Sequence, residues 1–274
     1  MTGVAGSRRA RLKVWHRRIR IVWVTGGLAF TAWLVWNMQA HGVPTAVRES
    51  TALVSVREGY GATVFMPEGA AADRAGLVFL PGGGVDPAAY LPFVRAVADA
   101  GWPGALVRLP WRMAFSDGAQ IEVWRRVTVV RRSWGVSRPI VLGGHSRGAG
   151  MSATFAGRYA NDLSGLLLIG TTHPRDEDLS SLTMPVLKIV GTRDCVADAK
   201  DSLANLSKLP PHTAWLTIEG ANHAQFGYYG SQLGDCRAEI SRESQQQQTL
   251  DAVVSWLSRV AAPVAASTVT AQDR

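Results

Sequence analysis

Acidic residues are missing from the first 48 positions, and cysteine occurs only twice in 274 residues, at Cys195 and Cys236. Charged residues make up 18% of the chain, too few for a solvated coiled coil, and the 47% apolar share excludes a disordered chain. The net charge of +8 points at first to nucleic acid. Of the 29 basic residues, however, Arg8, Arg9, Arg11, Lys13, Arg17, Arg18 and Arg20 precede position 21, leaving 22 against 21 acidic ones. The body is close to neutral and offers no electrostatic footprint for DNA or RNA. The glycine run at 82–84 lacks the Lys-Ser/Thr of a nucleotide-binding loop, so nucleotide binding has no support.

What the first 48 residues do contain is an apolar run behind a basic leader. No charged residue falls between Arg20 and Arg48. As a helix, residues 21–40 are about 30 Å long, enough to cross the hydrocarbon core of a bilayer. Trp15 and Trp23 near one end and Trp33 and Trp36 near the other suit the two interfaces, and the basic leader holds its end in the cytoplasm. The expected organisation is a cytoplasmic leader (1–20), a transmembrane signal anchor (21–40), a linker (41–50), an extracytoplasmic catalytic domain (51–260) and a tail (261–274). Two alternatives stay open. One is a signal peptide cleaved after Met38-Gln39-Ala40, with the twin-arginine-like Ser7–Lys13 as its variant; the other is a buried core helix.

From Thr51 the pattern changes to short apolar runs separated by glycine and proline. Residues 51–57 and 62–66 read as a hairpin, followed by strands at 76–80, 105–109, 139–142, 164–169, 185–190 and 214–218. Helical stretches at 88–100, 121–134, 151–159, 197–206 and 247–260 alternate with them. This alternation predicts an α/β fold, a mostly parallel sheet covered by helices on both faces. Ligands then gather beyond the carboxyl ends of the strands.

The chemistry centres on Gly144-His145-Ser146-Arg147-Gly148, which follows a buried strand and precedes a helix. In G-x-S-x-G the glycines let strand and helix approach closely while the serine is lifted above the sheet. A serine nucleophile needs a base and an orienting acid. Asp194 ends the strand at 185–190, and His223 lies in the loop after the strand at 214–218, both at the same sheet edge. Gly83 or Gly84 after the strand at 76–80, with the backbone N–H of Arg147, supplies candidate oxyanion donors. Alone, Asp194 also reads as a turn residue and His223 as a loop histidine; their order along the chain ties them to Ser146. His145 is expected to point away from the site.

Together these residues resemble the α/β-hydrolase superfamily from about Thr51 to Trp256. The likeness is greatest to small lidless bacterial hydrolases built like dienelactone hydrolases and short-chain esterases. It is carried by Pro81-Gly82-Gly83-Gly84-Val85-Asp86-Pro87 with Tyr90, and by the run Asn222–Asp235 continued by Ile240-Ser241-Arg242-Glu243. The resemblance implies the α/β-hydrolase fold without a cap domain and the triad Ser146, Asp194 and His223. Serine in place of cysteine separates the chain from dienelactone hydrolases, and Pro81 separates it from lipases carrying H-G-G-G. Trp111, Met113 and Phe115, with Phe226, Tyr228 and Tyr229, are candidate walls of an acyl pocket or ordinary packing. Cys195 and Cys236 are expected at the active-site edge, either bridged or as two free thiols.

The expected activity is hydrolysis of carboxylic esters through an acyl-enzyme, with no metal or organic cofactor. Expected partners are a small or lipid-like acyl substrate and the membrane, reached through the N-terminal helix; nucleic acid is not among them. Acyl transfer to a cell-envelope acceptor, amide hydrolysis and a catalytically silent binding protein on the same fold remain as alternatives.

Overall fold

A computed structural model of the chain describes residues 3–260; the expected tail, 261–274, lies outside the described residues. The fold begins with one long helix, α1 (Gly3–Asn37). Its segment Leu12–Asn37 is apolar, and apart from the buried Asn37 at its end it is unburied. At 1.5 Å per residue those 26 residues span about 39 Å, long enough to cross a bilayer. The helix starts well before the expected position 21 because nothing in the basic leader breaks it. The segment at 41–50 is not a free tether: it holds a 3-10 turn (Thr45–Arg48), and Arg95 donates to the Glu49 carbonyl at 2.8 Å.

The body is a single eight-stranded sheet. Strands β1 (Val54–Gly59) and β2 (Ala62–Pro67) form the expected hairpin. They are followed by β3 (Gly76–Leu80), β4 (Gly104–Val107), β5 (Ile140–His145), β6 (Gly165–Ile169), β7 (Val186–Gly191) and β8 (Ala214–Ile218). The spatial order is β1-β2-β4-β3-β5-β6-β7-β8. β2 pairs antiparallel with both of its neighbours, β1 and β4; the remaining neighbours pair in parallel.

Alternation along the strands explains why the sheet is covered twice. Leu77, Phe79, Leu167 and Ile169 face one core, with α2 (Leu91–Asp99) and α6 (Arg242–Leu257) packed on it through Phe93, Val94, Val97, Val253 and Trp256. Val78, Leu80, Leu166 and Leu168 face the other, beneath α3 (Asp117–Trp134) and α4 (Arg147–Arg158). Helix α5 (Ala199–Ala204) follows β7. No helix or strand lies between β6 and β7, so no cap covers the sheet edge.

The observed boundaries depart from the sequence pattern where polar groups begin a helix. Ser116 caps α3 by accepting from Ala119, and Ser241 caps α6 by accepting from Ser244, so both start about five residues before their apolar stripes. Helix α4 begins at Arg147, four residues before the expected Met151, because its glycines are demanded by close packing and do not interrupt it.

One buried charge has a measurable consequence. Lys188 lies fully buried within β7, donates to the His173 carbonyl and sits 5.6 Å from the Trp215 ring. Burial lowers its pKa to about 7. Between that value and the ordinary lysine range the unfolded chain holds a proton that the folded chain has released. Stability contributed by this group therefore rises with pH from about 7 towards 10. Lys188→Met is expected to stabilise the fold by roughly 1–3 kcal/mol at pH 6, the His173 carbonyl losing its donor in the exchange. The gain should shrink by pH 9.5. Urea unfolding at both pH values checks this; equal gains would refute it.

Candidate active site

Strand β5 is buried along its whole length and delivers Ser146 into a turn with φ 53° and ψ −117°. A left-handed φ on a residue with a side chain costs of order 1–3 kcal/mol, and tertiary contacts must hold it. They do: Ser146 N–H donates to the Ile169 carbonyl of β6 at 2.9 Å. On either side of the serine, backbone approaches backbone. A Cβ on Gly144 would lie 2.6 Å from the Leu80 carbonyl oxygen, and one on Gly148 only 2.2 Å from it. Ser146 itself is half-buried.

Asp194 follows β7 and is almost fully buried. Its Oδ1 accepts from the Val196 and Ala197 amides at 3.0 and 2.7 Å, and its Oδ2 meets His223 Nδ1 at 2.8 Å. A carboxylate only accepts, so Nδ1 carries the imidazole proton and Nε2 keeps its lone pair. That Nε2 is buried and has no protein partner. The ring centroid of His223 is 4.4 Å from that of His145, the residue preceding Ser146. The structure thus brings the acid and the histidine together beside the serine turn, in an arrangement suited to taking a proton from a hydroxyl.

The oxyanion candidates separate. Gly84 donates its N–H to the Arg112 carbonyl at 2.8 Å, so the expectation for Gly84 is corrected. Its φ of 75° turns the amide toward the loop after β4. Among the described residues, neither Gly83 nor Arg147 donates its backbone N–H to a protein acceptor. Arg147 opens α4, where the first amides have no intrahelical carbonyl. The two positions adjoin: a Cβ on Gly83 would lie 3.1 Å from that of Arg147 and 2.8 Å from Met113 Sδ.

Of the six pocket candidates, Met113 meets this region, whereas Phe115 is exposed and Tyr229 is buried against Tyr90. Trp111 stands 94% exposed and walls nothing, because φ 53° swings its ring outward. Phe226 is buried beneath His145, with ring centroids 5.5 Å apart, and acts as packing. Tyr228 turns toward Arg242 and Phe93, away from the serine.

His145, expected to point away, forms part of the floor. Its Nδ1 bonds the Tyr90 hydroxyl at 2.8 Å, and it is fully buried. Burial, with the neighbouring His223 as a lesser cause, holds its pKa well below the ordinary value. A neutral His145 places no second cation beside an imidazolium forming on His223. Tyr90 also adjoins the loop at 81–84, since a Cβ on Gly82 would lie 2.6 Å from its hydroxyl.

Two residues escaped the sequence reading. Asp235 accepts from the amides of His223, Ala224 and Cys236 at 3.3, 2.9 and 2.9 Å, and more distantly from Cys195 at 3.4 Å. Gln245 clamps the residue before the histidine: Asn222 N–H donates to it at 3.2 Å, and its amide donates to the Asn222 carbonyl at 2.8 Å. Their residue types alone do not distinguish them from surface polar groups. Cys195 and Cys236 form a disulfide with Cα atoms 5.3 Å apart. It joins the Asp194 and His223 loops and closes a separation of 41 residues, a constraint worth about 4 kcal/mol in the loop-entropy account. No group of three or more His, Cys, Asp or Glu suited to a metal occurs among the described residues.

Residues 76–247 match the alpha/beta hydrolase family. Among solved structures, a bacterial membrane phospholipase A described as a virulence factor superposes with a TM-score of 0.52 at 16% identity, covering 89% of this chain and 99% of its own. Est1E from Butyrivibrio proteoclasticus gives a TM-score of 0.53 at 12% identity, covering 76% and 100%. A metagenome-derived lipolytic enzyme from a study of LipS and LipT gives 0.52 at 14%, covering 68% and 94%. At these identities the likeness is one of fold.

Proposed function

We propose that this chain, which belongs to the alpha/beta hydrolase family, is a membrane-anchored serine hydrolase that cleaves carboxylic esters through an acyl-enzyme. One observation carries the reading. His223 holds its Nδ1 on Asp194 at 2.8 Å and leaves a buried Nε2 without a protein partner beside the strained turn of Ser146. In the mechanism Ser146 attacks the ester carbonyl as His223 takes its proton. The Gly83 and Arg147 amides receive the developing oxyanion, and His223 returns the proton to the leaving alcohol. Water then repeats the sequence on the acyl-enzyme, with Asp194 keeping Nδ1 protonated throughout. The lipolytic and phospholipase structures among its likenesses support a lipid-like ester as substrate.

The same reading retains α1 as a signal anchor, with the basic leader in the cytoplasm and the catalytic domain outside. Residues just past the helix support retention. The Asn37 carbonyl accepts from Gly230, and its side-chain oxygen accepts from Ser231, both at 2.8 Å; the Met38 carbonyl accepts from Asp86 at 2.7 Å. Cleavage after Ala40 would remove all three contacts from the catalytic domain.

Full-length protein is expected to hydrolyse p-nitrophenyl butyrate, and Ser146→Ala to lose about 10^4-fold or more in kcat. Equal rates for the two proteins would overturn the serine mechanism. Including glycerol in the same assay separates hydrolysis from acyl transfer by its products.

A further inference from the structure

The catalytic groups lie at the carboxyl edge of the parallel strands, and α1 ends on that same edge. From Asn37 onward the chain bonds to Asp86 after β3, to Arg112 after β4, and to Tyr228, Gly230 and Ser231 after β8. Asp86, whose N–H donates to the Met38 carbonyl, is three residues from Gly83 and so within about 11 Å of it. The exit of the candidate membrane span and the mouth of the site are therefore neighbours.

The loop after β4 occupies this edge with an unusual conformation. Trp111, Arg112 and Ala114 all have left-handed φ, 53°, 58° and 50°. The strain is held from outside the loop. The Arg147 side chain donates to the Met113 and Ala114 carbonyls at 3.3 and 3.1 Å, and Gly84 donates to the Arg112 carbonyl. What this conformation achieves is to present apolar rings outward: Trp111 is 94% exposed and Phe115 75%. Both terminal nitrogens of the Arg112 guanidinium donate to Gln39 Oε1 at 3.2 Å, two residues past the end of α1. Arg112 thus ties this loop to the exit of α1, whose last turns carry Trp33 and Trp36. Tryptophan is favoured at the boundary between headgroups and acyl chains.

We propose that Trp111 and Phe115 form a membrane-contacting surface. They enter the headgroup boundary of the bilayer that α1 crosses and direct the mouth at Ser146 toward that bilayer. The site then draws its ester from the membrane and not from water. This inference rests on α1 being a retained anchor, and its occupant is the lipid surface alone.

The test uses the full chain in vesicles of phosphatidylethanolamine and phosphatidylglycerol, with Phe115→Cys carrying a polarity-sensitive thiol dye. The native cysteines are bridged and do not compete. Lipids brominated near the top of the acyl chain should quench the dye by at least half. A dye on Val136→Cys, in the turn before β5 at the opposite sheet edge, should be quenched by less than a tenth. Absence of quenching in protein that floats with the vesicles would overturn the membrane surface and leave the anchor standing. Protein that fails to float would overturn both. Independently, Trp111→Ser with Phe115→Ser should slow hydrolysis of a vesicle-resident ester at least tenfold while p-nitrophenyl butyrate hydrolysis changes by less than twofold. Equal effects on the two substrates would also refute the proposal. Should wild type cleave neither, the esterase reading fails, and the quenching still decides the surface.

Discussion

Asp194→Asn is expected to lower kcat by about 10^4-fold while leaving the protein folded, because this site dictates which way the new amide points. Oδ1 of Asp194 accepts from two backbone amides, Val196 and Ala197. An asparagine keeps those bonds only with its carbonyl oxygen in that position, which turns its NH2 toward His223 Nδ1. Two donors cannot face each other, so Nδ1 must accept and the proton moves to Nε2. The imidazole is then in the wrong tautomer to accept the serine proton, a defect that costs about this much when the geometry is otherwise kept. Because the loop caps survive, the urea midpoint should move by no more than about 1 kcal/mol in stability. Stopped-flow acylation with p-nitrophenyl butyrate and equilibrium unfolding measure the two halves. A variant within tenfold of wild type would remove Asp194 from the mechanism; a large loss of stability would mean that the caps had not been preserved.

The largest effect on stability should come from one methyl group. Gly148→Ala places a Cβ 2.2 Å from the Leu80 carbonyl oxygen and 2.6 Å from that of Pro81. Both contacts are backbone, at the end of β3 where the glycine loop begins, and neither can rotate away as a side chain would. Relief requires α4 to move off the sheet or the 81–84 loop to shift. The expected cost exceeds about 3 kcal/mol, at or beyond the upper end for overpacking. Gly157→Ala, in the same helix, is the control. There the added Cβ meets only a flexible Leu179 methyl at 3.3 Å, and helix propensity favours alanine by about 1 kcal/mol. Thermal unfolding should find Gly157→Ala unchanged or more stable and Gly148→Ala strongly destabilised or insoluble. Similar Tm values for the two would mean that the close approach of α4 to β3 is not a requirement of the fold.

Much of this architecture was legible before any coordinates. Periodicity gave all eight strands, since short apolar runs bounded by glycine and proline have few other stable placements once helices separate them. The alternation of Leu77 and Phe79 with Val78 and Leu80 carries the instruction for a sheet buried on both faces. Ser146, Asp194 and His223 could be put forward together through their positions at strand ends, and Asp194 and His223 prove to be hydrogen-bonded. What could not be read was the fate of individual backbone N–H groups. Gly83 and Gly84 are the same residue type in adjacent positions, yet only Gly84 gives its amide to Arg112. Nor does local sequence show that a tryptophan will be held outward. Trp111 looks like a pocket wall until the left-handed φ imposed by Arg147 and Gly84 turns it to the surface.

The sequence by itself determined the secondary structure, the class of fold, the apolar N-terminal helix and the three residues offered as a triad. Each of these depends on local composition and on the order of short segments. Only the tertiary structure decided which amide remains open at Gly83, that His145 lies neutral beneath His223, and that Asp235 and the disulfide hold the two loops together. It also decided that α1 ends at the catalytic edge. Those outcomes depend on contacts between segments far apart in the chain, such as Asn37 with Ser231 or Gln39 with Arg112. A hydrogen bond of that kind has no local signature; it exists only after the sheet has brought its partners into reach.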